Sequence, residues 1–167
     1  MKTITSLLLI AIAAGTAACT VSPLEGHDGG AGVGSVAIEA LHAGIQCGNN
    51  ETGASARWIE DATQLESLYQ PLNLAPAEID FAQSVVVLVE MGERPTLGYR
   101  LGVAEAEAQM VEGHLEVVLE WREPPSDMMV GQMVTSPCLL LKLERGQYRE
   151  VWFKDAQGLR RAVATPP

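Results

Sequence analysis

One run constrains this chain more than any other: Ser84-Val85-Val86-Val87-Leu88-Val89-Glu90-Met91. Four valines in eight residues, with no polar face at helical spacing, fit a strand covered on both sides, at the centre of a sheet. Its partners are legible around it. In 97–106 (LGYRLGVAEA) Tyr99, Leu101 and Val103 share one face, with Arg100 and Gly102 on the other. In 114–122 Leu115, Val117, Leu119 and Trp121 alternate with Glu116, Val118, Glu120 and Arg122. Leu139, Leu141 and Leu143 alternate with Leu140, Lys142 and Glu144, and Gly146 turns the chain into Tyr148–Phe153. Upstream, Val36–Ile45 reads as a first strand, 48–53 as a turn-rich loop and Arg57-Trp58-Ile59 as a short extended piece. Asp61–Gln70 has a capping residue and Leu65, Leu68 and Tyr69 at helical spacing, ending at Pro71. One helix followed by consecutive strands predicts an α+β fold: a mostly antiparallel β-sheet with one principal α-helix packed on its apolar face.

The first residues have a different logic. Lys2 precedes an apolar run, Leu7–Ala14, then small residues Gly15-Thr16-Ala17-Ala18 and Cys19. This is the layout of a secretory signal, and the apolar run is too short to span a bilayer core of ~30 Å. Thr16-Ala17-Ala18-Cys19 resembles a bacterial lipobox, with Thr16 where Leu is usual. The resemblance implies cleavage before Cys19 and acylation of that residue, which fastens the chain to a membrane through lipid; plain cleavage leaving a free Cys19 is the rival. Thr20 rather than Asp after the cysteine resembles outer-membrane lipoproteins, facing the periplasm. Residues 20–35 (TVSPLEGHDGGAGVGS) are Gly-rich without periodicity and read as a tether spanning roughly 20–24 Å. The expected organisation is a lipoprotein signal peptide (1–18), a lipidated tether (19–35), a folded domain (36–155) and a C-terminal tail (156–167).

Charge and cysteines narrow the function. The formal charge is −10, and loss of residues 1–18 removes only Lys2; such an acidic body excludes nucleic acid as a partner. With Cys19 lipidated, Cys47 and Cys138 remain in an oxidising compartment, where a disulfide is expected. Two buried thiols, or Cys138 as a nucleophile, are the alternatives. His27, His42 and His114 show no pair at metal spacing, no elbow motif surrounds a serine, and no cofactor motif is present. The expectation is therefore no catalytic, cofactor-binding or metal residue. Met128, Met129 and Met133 form the most suggestive cluster, behind Pro124-Pro125. Thioethers suit Cu(I), but a protruding loop offering an adaptable contact surface is the preferred reading.

The order of landmarks also carries a resemblance. Asp80-Phe81 precedes the central strand; Gly98-Tyr99 enters the next; Pro124-Pro125 precedes a long loop; Thr135-Ser136-Pro137-Cys138 leads into Leu139–Leu143. Over about residues 78–145 this resembles the PrcB C-terminal domain family, named after a lipoprotein subunit of a spirochaete surface protease complex. Leu97 stands where the family often has a first Gly, and Cys138 where it usually has an aromatic. The resemblance implies a small β-rich extracytoplasmic domain, with structural roles for Asp80, Phe81, Gly98, Tyr99, Thr135 and Pro137. In the founding example the protein is an accessory subunit of a protease. The expected function is accordingly non-catalytic binding of another envelope protein, a protease among the candidates, through a sheet edge or the 124–134 loop. A periplasmic lipoprotein binding a small molecule or metal is the alternative.

Overall fold

The structure, a computed structural model, describes residues 34–72 and 78–167. The expected signal peptide, the lipidation site Cys19 and nearly all of the tether, including His27, lie outside the described residues. The elements run β1 (Ser35–Gly44), β2 (Ser55–Ile59), α1 (Ala62–Leu72), β3 (Ser84–Glu90), β4 (Arg100–Val103), β5 (Glu107–Val111), β6 (His114–Arg122), β7 (Cys138–Glu144), β8 (Val151–Asp155) and β9 (Arg160–Ala164). They form one sheet in the order β2-β3-β7-β1-β5-β6-β8-β9, with β4 alongside β6. All pairings are antiparallel except β6 with β8. The valine run is central as expected: β3 pairs β2 on one side and β7 on the other, and every residue of it is buried.

The α+β expectation is corrected by how this sheet is covered. Its end strands, β2 and β9, come together without pairing, so the sheet curls on itself into a nearly closed barrel. The larger core is inside that barrel: Val85, Val87 and Val89 of β3, Leu115, Val117 and Leu119 of β6, Leu139, Leu141 and Leu143 of β7, and Val151 and Phe153 of β8. Helix α1 is a small outer cover. Leu65 and Tyr69 cluster with Ile59, Val86, Leu88 and Leu140 on the outer face of β2, β3 and β7, with Leu41 of β1 at the margin. Alternation of period two reveals an apolar face, but not whether a helix or the opposite wall of the same sheet covers it. Nine strands, counting those the sequence concealed, suffice for the sheet to cover itself.

Two strands were concealed. Glu107–Val111 (EAQMV) has little β propensity, yet it pairs with both β1 and β6. Its hairpin to β6 turns on Glu112 and Gly113, both at positive φ (46° and 88°), the geometry of a two-residue type I′ turn. The expected tail, 156–167, instead contributes β9, an edge of the sheet. Its turn is held by Asp155, whose carboxylate accepts the Gln157 and Leu159 N–H groups at 3.0 and 2.9 Å and the Arg161 guanidinium at 2.8 Å. Burial pushes the Asp155 carboxyl up, but these donors together outweigh it and hold it below the ordinary carboxylate range.

Candidate functional site

At one end of the barrel β1, β3 and β6 finish and β2, β4 and β7 begin, so the connections 45–54, 91–99 and 123–137 meet there. Backbone hydrogen bonds tie them together. Arg94 and Thr135 exchange N–H···O bonds of 2.7 and 2.8 Å; Ser136 N–H donates to Ile45 O at 2.9 Å; Cys47 and Gly48 N–H both donate to Ser136 O; Met91 N–H donates to Pro137 O. The Cys47–Cys138 disulfide fastens the first connection to the start of β7, with a Cα–Cα distance of 5.5 Å. Buried Glu90 adds a second latch, accepting Asn49 N–H at 2.6 Å and Ser55 O–H at 3.2 Å. Gly92 has φ +80°, and a Cβ there would lie 2.5 Å from the carbonyls of Glu51 and Gly53; only glycine admits that crossing.

The loop bearing the methionines stands on this base. Leu97 N–H donates to Gly131 O at 3.0 Å. Pro124 packs so closely on Gly98 (φ +102°) that a Cβ there would meet it at 2.9 Å. Between these fixed points the loop projects, leaving Met129 fully exposed and Met128 56% exposed. Met133, Val134 and Ile45, at 43%, 54% and 38%, continue the apolar surface, since Gln46 Nε2 donates to Val134 O at 2.8 Å beside Ile45. Five large apolar side chains thus share one rigid end of the barrel. A shallow groove of about 410 Å³ runs beside Ile45, lined by Ala43, Gly44, Arg100, Leu101, Glu120 and Arg122.

The other sequence-derived positions fall into structural places. Asp80 caps a turn, accepting Ala82 N–H at 2.9 Å, and Phe81 packs in the cluster under α1. Tyr99 flanks the barrel core and carries the Arg94 guanidinium 5.6 Å from its ring centre. Thr135 Oγ1 donates to Thr96 O at 3.2 Å, and Pro137 is buried. Of the alternatives left open for Cys138, neither a free thiol nor a nucleophile holds, because its sulfur is bonded to Cys47. The pairing was anticipated, but not the neighbour beside it: His42 comes within 4.8 Å of both sulfurs.

The charged outer face is more organised than alternation could tell. Glu116 accepts from Lys154 and lies 3.1 Å from His114 Nε2. The Lys154 hydrogen bond, chiefly, holds the Glu116 carboxyl below its ordinary range, against partial burial and with help from His114. Trp152 stacks on His114, 3.7 Å between ring centres, and carries the Arg160 guanidinium 4.4 Å from its own ring centre. Lys142 pairs with Glu39, and Arg122 with Glu120.

The described residues thus form a small β domain, a nearly closed barrel whose loop end is latched, disulfide-tied and bears exposed apolar side chains. The family described as PrcB C-terminal matches residues 85–144, the stretch from β3 through β7 that carries the methionine loop, so over that stretch the chain is similar to that family. No curated protein and no solved structure matches the chain.

Proposed function

We propose that this domain is a non-catalytic adaptor, lipid-anchored through Cys19 on the periplasmic face of the outer membrane, that docks another envelope protein with its methionine-bearing loop end. A protease is the partner class that the likeness to the PrcB C-terminal family favours. The observation that carries the reading is the fully exposed Met129 on a loop pinned at Gly98 and Gly131. A flexible thioether tip on a rigid base costs little to order and adapts to an apolar partner pocket. The sheet edges are poorer candidates. β1 and β4 approach within 8 Å without pairing, short of the roughly 9.6 Å that an inserted strand needs at ~4.8 Å per strand spacing. β2 and β9 face each other.

Affinity capture from detergent-solubilised envelopes tests this. Wild-type protein recovers a discrete partner, and the double variant Met128→Asp, Met129→Asp recovers at least tenfold less while unfolding at the same temperature. Equal recovery by the variant would remove the loop from the interface.

A further inference from the structure

We propose that Cys47, Cys138 and His42 form a redox-gated metal site: closed while the disulfide stands, and a three-ligand seat for a d10 cation such as Zn²⁺ once it is reduced. The three donor atoms lie within 4.8 Å of one another. Three protein ligands of the Cys₂His type with an open fourth position are a known coordination set for zinc, and thiolates with imidazole favour zinc and soft cations over Mg²⁺ or Ca²⁺.

Two further features of the fold build this seat. The first is a β-bulge. Ala40 faces Leu141, but His42 faces Leu140, one residue out of step. Without that shift His42 would follow Ala40 onto the barrel side; the bulge sends it to the outer face, which Cys138 shares. The second is Gly44, directly opposite Cys138. A Cβ on it would lie 2.8 Å from His42 Nε2 and 2.9 Å from Cys47 Sγ. The missing side chain is what keeps the space between imidazole and sulfur open. Cys138 is buried, whereas Cys47 and His42 are half-exposed, so a reductant and an ion reach the site from the Cys47 side.

The chemistry balances as follows. A dithiol, small or protein-borne, gives two electrons and two protons; the Cys47–Cys138 bond breaks to two thiols and the dithiol becomes its own disulfide. Zn²⁺ then displaces both thiol protons to solvent, and neutral His42 offers the Nε2 lone pair. Zinc–sulfur bonds of ~2.3 Å in tetrahedral geometry put the sulfurs roughly 3.7 Å apart, a parting that side-chain rotation provides.

The test compares oxidised and dithiol-reduced protein without oxygen, with Zn²⁺ as the probe in competition with a chromophoric chelator and circular dichroism as the folding check. Reduced wild type binds one Zn²⁺, which blocks alkylation of both thiols and raises its unfolding temperature; oxidised protein binds none. His42→Ala weakens binding by about 10- to 100-fold without altering the sheet signal, and Gly44→Ala weakens it as well. Substituting Co²⁺ gives a thiolate charge-transfer band. Reduced protein that binds no zinc, that binds it equally well with His42→Ala, or that loses its sheet signal on reduction overturns the proposal.

Discussion

Breaking the Cys47–Cys138 bond gives the sharpest quantitative test of how the loop end is held. The two cysteines are 91 residues apart in sequence, so the bridge closes most of the folded chain into one loop. The chain-entropy account assigns a loop of that length about −15.5 cal/mol/K, or about 4.6 kcal/mol of lost unfolded-state freedom at 25 °C. The native state should tolerate the loss, because Glu90, Gly92 and the Ser136 carbonyl hold the same connection by other means. For a domain of this size, stability is typically about 7–15 kcal/mol, which leaves the reduced form folded. Equilibrium urea unfolding with and without a dithiol, in chelator to exclude metals, measures the difference. We expect 4–5 kcal/mol and a fall in melting temperature of roughly 15–20 °C. A difference below about 1 kcal/mol would show that the connection 45–54 is already confined in the unfolded chain, and would refute the reasoning.

Three further outcomes follow from the packing. Leu141→Ala, at the barrel centre between β3 and β1, should cost about 3–5 kcal/mol, and Leu65→Ala, on the sheet-facing side of the outer helix, about 2; urea midpoints separate them, and a larger cost at Leu65 would contradict a core made by the sheet itself. Gly92→Ala forces a side chain into two carbonyls at positive φ and should destabilise by more than 1 kcal/mol by the same assay. Asp155→Asn should cost about 2 kcal/mol at pH 7 by losing its ionic partner Arg161. Because the Asp155 carboxyl titrates below its ordinary value, its ionised form stabilises the fold above about pH 4 and that contribution fades as pH falls further. The gap between wild type and the variant therefore narrows in acid; a gap that widens would reverse the sign of the argument.

What the residues disclosed depended on whether the signal was local. The valine run of β3 and the alternation in β6 and β7 identify buried strands because period two is a property of neighbouring residues. The cysteine pairing was legible because setting Cys19 aside for lipid, as the lipobox resemblance implies, leaves two, and the loop because prolines and methionines mark it. The way the sheet is covered was not legible: Leu140 and Leu141 look alike in sequence, though one meets the helix and the other the opposite barrel wall. β5 escaped notice because Glu, Ala and Gln form a strand there only through partners on both sides. His42 escaped because its place beside the sulfurs depends on a bulge that no spacing announces. The landmarks shared with the PrcB family lie in the connections between strands, so they located the domain without revealing how it closes.

If the loop end is the contact surface, it must lie against the partner in the cell. Photo-crosslinking reads this directly: a photoreactive residue at Met129, and in a second protein at Glu66 on the outer helix, is irradiated in intact cells. A discrete crosslinked species from position 129 and none from 66 is the predicted result; the reverse pattern, or the same species from both, would contradict it.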